Sequence, residues 1–129
     1  MIQYQYCDGN SPADEKNDCS VRALKIATGC KYYDAHRLLH NAGRKPHRGF
    51  IIEKLLRSHG FYFGCAFTKL KFRKPITLAR FAKMHHAGTF YLRTRAHAFV
   101  IKDAVVWDMC KPRAYSRITM AWKVEPLMQ

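Results

Sequence analysis

The sequence predicts an α+β domain, and three observations carry that expectation. Through the first half of the chain, apolar residues recur at helical spacing. After Gly88 the texture changes to short runs rich in β-branched and aromatic residues, which read as strands. Hydrophobic residues make up 48% of the 129 positions and charged ones 25%, the balance of a folded globular chain. A chain of this length buries roughly two thirds of the surface its unfolded form exposes, so residues 1–129 are expected to form one domain without disulfides or metal. Helices first and strands afterwards predict N-terminal helices packed on a C-terminal antiparallel sheet.

The elements follow in order. Between Cys19 and Thr28, Val21, Ala23, Leu24, Ile26 and Ala27 leave little polar surface, so a buried helix is expected there. Asn17 or Asp18 can cap its start, and Gly29 ends it. A second helix spans Tyr33 to Asn41, with Ala35, Leu38 and Leu39 inward. Ile51 to His59 repeats the pattern through Ile52, Leu55 and Leu56, predicting a third helix that stops at Gly60. Thr77 opens a fourth, Leu78 to Ala87, which shows Leu78, Phe81 and Met84 on one side. Strands are predicted at Thr89 to Leu92, Ala98 to Ile101, Val105 to Trp107 and Ile118 to Val124, with another at Phe61 to Phe67.

Charge narrows the partners. Lys and Arg number 23 against 9 Asp and Glu, a net +14, which favours anionic substrates or partners such as nucleic acid or an acidic protein. Lys69, Lys71 and Arg73 alternate along one face of an extended segment that continues to Lys74, with Phe67 before it, a strip suited to polyanions. A solvated strand face explains the same alternation. The five cysteines form no C-x-x-C pair and no repeated spacing, so a reduced cytoplasmic setting is expected rather than a disulfide framework or a structural zinc. With no basic-then-apolar start and no long apolar window, neither export nor membrane association is expected. His36 and His40 stand four apart on a helix, but no H-E-x-x-H pattern accompanies them, and neither a metal nor a cofactor is expected.

The residues that can carry chemistry are Cys19, His97 and Asp108. Cys19 stands where a helix begins, and free backbone N–H groups together with the helix dipole favour its thiolate. His97 opens one strand of a hairpin and Asp108 closes the other. If Lys102 and Asp103 form the turn, His97 lies directly opposite Asp108. If Asp103 and Ala104 form it, Asp108 pairs with Phe99, one diagonal step from His97 on the same face. Either register places an imidazole beside a carboxylate.

Asn17-Asp18-Cys19-Ser20-Val21-Arg22-Ala23-Leu24, with His97-Ala98-Phe99-Val100 and Val106-Trp107-Asp108, resembles the papain-like cysteine peptidases. Within that superfamily the chain is most similar to the compact bacteriocin-processing type and to short phage and bacterial relatives, over roughly residues 14 to 110. The resemblance implies a papain-like fold, with the nucleophile helix packed on the sheet. It also implies a peptidase or isopeptidase in which Cys19 is the nucleophile, His97 the base and acid, and Asp108 the residue that orients His97. The same parts serve amide or acyl transfer. Ala13 occupies the position where the family usually carries a Gln that donates to the oxyanion, and Ala96 the position of a common Gly. Asn17, beside the backbone N–H of Cys19, is the nearest oxyanion candidate. A different class of function is a non-catalytic basic binding protein, on the same scaffold, for nucleic acid or an acidic host protein.

Overall fold

A computed structural model describes residues 2–127. Its frame is a seven-stranded sheet in the order β1-β7-β6-β5-β9-β3-β2. The strands are β1 (Gln3–Tyr6), β2 (His59–Tyr62), β3 (Cys65–Lys69), β5 (Thr89–Arg93), β6 (Ala98–Lys102), β7 (Val105–Asp108) and β9 (Met120–Pro126). β4 (Ile76–Thr77) and β8 (Arg117–Ile118) form a separate small pair. The helices are α1 (Cys19–Thr28), α2 (Tyr32–Asn41) and α3 (Leu78–Met84).

The central strands are apolar on both faces because both faces are covered. On β5, Tyr91 points into a core shared with Val21, Leu24, Tyr32 and Leu39 of α1 and α2. Phe90 and Leu92 point the other way, into a second core with Leu78 and Phe81 of α3. Trp122, Tyr91, Phe67 and Phe81 are the largest fully buried side chains and anchor these two layers. Among the described residues, no helix is long and apolar enough to cross a membrane.

Helix α1 runs from Cys19 to Thr28, and Gly29 closes it at a left-handed φ of 77°, its N–H bonded to the Lys25 carbonyl. Its start differs from expectation. Asp18 occupies the cap position but makes no side-chain cap bond, because its carboxylate is engaged elsewhere. α2 begins one residue earlier than predicted, at Tyr32, and α3 stops at Met84, whose side chain is exposed.

Four further expectations are corrected. Residues 51–59 do not form a helix: a single 3₁₀ turn, Ile52–Lys54, buries Ile52 and Leu56, and His59 then enters β2. Pairing of β2 with β3 outweighs the weak local helical preference of so short a stretch. Phe61 to Phe67 is therefore two strands and a turn at Phe63 and Gly64, both at positive φ. Ile118 to Val124 divides into β8 and the start of β9. Finally, the sheet is mixed rather than purely antiparallel, since β1 adds alongside β7 in parallel register, from Gln3 beside Val105 to Tyr6 beside Asp108.

The β6–β7 hairpin pairs Lys102 with Val105 and Val100 with Trp107, so Asp103 and Ala104 form the turn. Their φ values of 47° and 64° are those of a type I′ turn, which suits the strand twist but strains a residue with a Cβ. Asp103 is held there by two bonds with Gly88: its N–H donates to the Gly88 carbonyl, and its Oδ1 accepts from the Gly88 N–H at 2.8 Å. Ala104 has no such compensation. Ala104→Gly should therefore stabilise the fold by about 0.5–1 kcal/mol, read as an increase in the urea midpoint at unchanged slope.

Candidate active site

The type I′ turn sets the register that brings His97 and Asp108 together. Both lie at the same end of the β6–β7 ladder, and the Nε2–H of His97 donates to Asp108 Oδ2 at 2.6 Å. The ring is further held by stacking on Phe99, with centroids 5.6 Å apart. Asp108 is 4% exposed and is fixed on all sides. Its Oδ1 accepts from the Met109 N–H at 2.8 Å, and its carbonyl accepts from the Cys7 N–H and the Tyr4 hydroxyl, both at 2.9 Å. Strand β1 therefore does more than extend the sheet, because it clamps the backbone that carries the carboxylate.

With Nε2 committed to Asp108, Nδ1 is the ring nitrogen left for Cys19. Cys19 begins α1, which crosses the sheet over β5 and β6, and it lines a cleft of about 260 Å³ together with Phe50, Ile51, Arg93, Arg95 and His97. Burial pushes the Cys19 thiol up. Interaction with the His97 ring, the backbone at Ala98 and the charges of His97 and Arg22 outweigh that burial, so its pKa is lowered. His97 moves the opposite way, raised from 6.5 to about 9 by its bond to Asp108 and by Cys19, against burial. The two shifts favour a thiolate beside an imidazolium.

A second layer, which sequence reasoning missed, holds this pair in place. Asp18 is 1% exposed, and its carboxylate accepts from the Ser11 hydroxyl at 2.5 Å and the Tyr32 hydroxyl at 2.8 Å, and from the Arg22 guanidinium one helical turn on. The other terminal nitrogen of Arg22 lies 3.9 Å from Asp108 Oδ1. Arg22 thus joins the start of the cysteine helix to the carboxylate that orients the histidine. The i,i+4 spacing of Asp18 and Arg22 was the available signal, but spacing alone describes countless surface pairs.

Asn17 is placed beside the cleft rather than in it. It is exposed, its backbone lies at φ 54°, and its amide donates to the His47 carbonyl at 2.9 Å. That bond and the nearly buried Arg44 tie the segment before Cys19 to the loop that walls the cleft. Arg44 pairs with Glu15 at 3.1 Å and donates to the carbonyls of Lys16 and Asn17. The backbone N–H groups opening α1 receive no side-chain cap bond.

The basic strip is also rearranged. β3 ends at Lys69, and residues 70–75 are irregular, so Lys69, Lys71 and Arg73 do not share one strand face. Lys69 and Lys71 instead line a pocket with Arg57, while Arg73 and Lys74 are exposed outside it. Among the described residues, no group of three or more His, Cys, Asp or Glu side chains is placed to hold a metal ion. All five cysteines are free thiols. Comparison of the chain with protein families, with curated proteins and with solved structures finds no match.

Asp18 should be a strong stability determinant. Burial raises its pKa, but the Ser11 and Tyr32 hydrogen bonds and the Arg22 charge overcome that, leaving it below 3.8. Because the folded value is depressed, the stabilisation is present above the unfolded pKa and is lost as pH falls through the folded one. Asp18→Asn should cost about 2–3 kcal/mol at neutral pH and flatten the decline of stability below about pH 4, both measured by urea unfolding across pH.

Proposed function

We propose that the protein is a cysteine hydrolase, a peptidase or isopeptidase on a papain-like scaffold, in which Cys19 is the nucleophile, His97 the general acid and base, and Asp108 the orienting carboxylate. The observation that supports this reading is the placement of the three groups. A thiol at a helix N-terminus lines one cleft with an imidazole whose Nε2 is held 2.6 Å from a buried carboxylate.

The chemistry follows from the charges. The Cys19 thiolate attacks the amide carbon, forming a C–S bond while negative charge moves to the oxygen, where the N–H groups at the start of α1 stabilise it. As the C–N bond breaks, the imidazolium of His97 passes its proton to the departing amine. Neutral His97 then takes a proton from water as the oxygen attacks the thioester. The C–S bond breaks, the acid product leaves, and the thiolate–imidazolium pair is restored. Asp108 never needs to change protonation, since its task is to hold the ring and stabilise its cation. A reducing compartment, the cytoplasm, suits an enzyme that relies on a free thiolate.

The pocket at Lys69 and Lys71 favours a second reading, a polyanion-binding protein that uses the same fold without catalysis. Reactivity at Cys19 separates the two. Among the five thiols, Cys19 should be alkylated fastest at mildly acidic pH, and His97→Ala should slow that reaction without a matching effect at Cys30 or Cys65, as read by peptide mapping. A Cys19 as slow as the others in the folded protein removes the catalytic reading.

Turnover should show an alkaline limb near pH 9, where His97 loses the proton that the leaving amine requires. Asp108→Asn should lower kcat by about 10³-fold and move that limb to lower pH, because Asp108 is the main cause of the raised His97 pKa. Full activity in Asp108→Asn would exclude Asp108 from the site.

A further inference from the structure

The cleft beside Cys19 does not end at the thiol. Arg93 lines it, and the cross-strand partner of Arg93 on β9 is Met120, which lines a second pocket of about 370 Å³ with Arg57, Lys69, Lys71 and Phe72. Thr119, on the rim of that second pocket, donates to the Arg93 carbonyl through its N–H at 2.8 Å and its hydroxyl at 3.0 Å. Lys69 stands one strand further, on β3, which pairs with β9. Cys19 sits beside Ala98 of β6, and from β6 to β3 there are three strand spacings, about 14 Å or the reach of roughly four residues of extended chain.

The unpaired charges along this path are of one sign. Arg93 already holds Glu53, at 3.4 Å, but among the described residues Arg57, Lys69, Lys71 and Arg95 form no ion pair. Four cations over two adjoining pockets, in a chain of net charge +14, raise the local concentration of an anionic ligand and fix its direction. One end of the path is a thiolate poised for acyl carbon, a group that a polynucleotide does not offer.

We propose that the two pockets are one substrate groove, and that it selects a polypeptide carrying acidic side chains about four residues from the bond that Cys19 attacks. This rests on the hydrolase reading above and adds its substrate class. Arg95 meets an acidic side chain next to the thiol, and Arg57, Lys69 and Lys71 hold the acidic segment beyond.

Affinity labels on the whole chain test the groove before any cleaved sequence is identified. One pair carries an iodoacetyl group at the amino end of Gly-Gly-Glu-Glu-Glu or Gly-Gly-Gln-Gln-Gln. The other carries a chloromethyl ketone at the carboxyl end of the reversed peptides. In one of the two orientations the acidic label should modify Cys19 about tenfold faster than its amide counterpart at low salt, by intact mass and peptide mapping. That ratio should fall toward one in about 0.5 M salt and in Lys69→Glu/Lys71→Glu. Lys71 lies outside every strand, so Lys71→Glu alone gives the same direction of change with little risk to the fold. Equal rates for acidic and amide labels in both orientations, with Cys19 still the thiol that iodoacetamide prefers, overturn the groove and leave the hydrolase standing. A Cys19 no more reactive to iodoacetamide than the other thiols overturns both. If an oligothymidylate protects Cys19 from the acidic label more strongly than hexaglutamate does, the groove is a nucleic-acid site and the proposal fails.

Discussion

The buried ion pair of Asp18 and Arg22 is the constraint on which the site depends. Two charges taken out of water are costly unless every lone pair and proton finds a partner. Here Asp18 is bonded by Ser11, Tyr32 and Arg22, although the Arg22 Nε is left without a partner, so the loop before α1, the start of α2 and the first turn of α1 are tied to one carboxylate. Arg22 then extends that lock to the sheet through Asp108. The distance between a helix N-terminus and a hairpin end would otherwise depend on apolar packing alone, which tolerates small slides between layers. An ionic contact between the two layers restricts that freedom beside the cleft that Cys19 and His97 line.

The same link explains why Asp18 is not a helix cap. A side-chain cap would satisfy an N–H at the opening of α1, and in the proposed hydrolase reading those groups receive the oxyanion. By turning its carboxylate toward Arg22 and Tyr32, Asp18 leaves the first turn of the helix uncapped beside Cys19. The charge of Asp18 is neutralised locally by Arg22, so it does not oppose the thiolate nearby. Stability is thus drawn from the buried network rather than from the cap, and the reactive end of the helix stays available.

What could be read from the sequence follows how local the signals were. Helix α1 was legible from Cys19 to Gly29 because apolar spacing and a left-handed glycine are written into ten consecutive residues. The pairing of His97 with Asp108 was legible because either hairpin register puts them on one face, although the choice between registers was not. The chain selects the Asp103–Ala104 turn without a glycine, and the bonds from Asp103 to Gly88, fifteen residues away, are invisible in a short window. Ile51 to His59 misled for the same reason: its apolar spacing does report burial of Ile52 and Leu56, but the backbone is claimed by β3. Strand β1 alternates Gln3 and Gln5 with Tyr4 and Tyr6, a local strand signal that was missed, but its partner lies a hundred positions later and no short window shows the pairing. Whether the chain is a papain-like hydrolase is a matter for the reactivity of its thiol, since fold alone does not assign chemistry.

Five free thiols pose a selection problem, and the surroundings of Cys19, Cys30 and Cys65 differ in kind. Burial pushes Cys65 up with nothing beside it to reverse the effect, and it pushes Cys30 up despite the Thr28 hydroxyl. Burial acts on Cys19 in the same direction, yet there a ring that keeps its proton, the backbone at Ala98 and a nearby guanidinium turn the balance over. Each contribution requires a different part of the chain: the guanidinium comes from residues 19–28, the ring from the hairpin, and its retained proton from Asp108, held by β1. A partly buried site makes these interactions stronger than they would be in water, and it makes any missing member correspondingly expensive. The lowered pKa of Cys19 is therefore a property of the assembled fold, because its causes sit on separate elements of the chain.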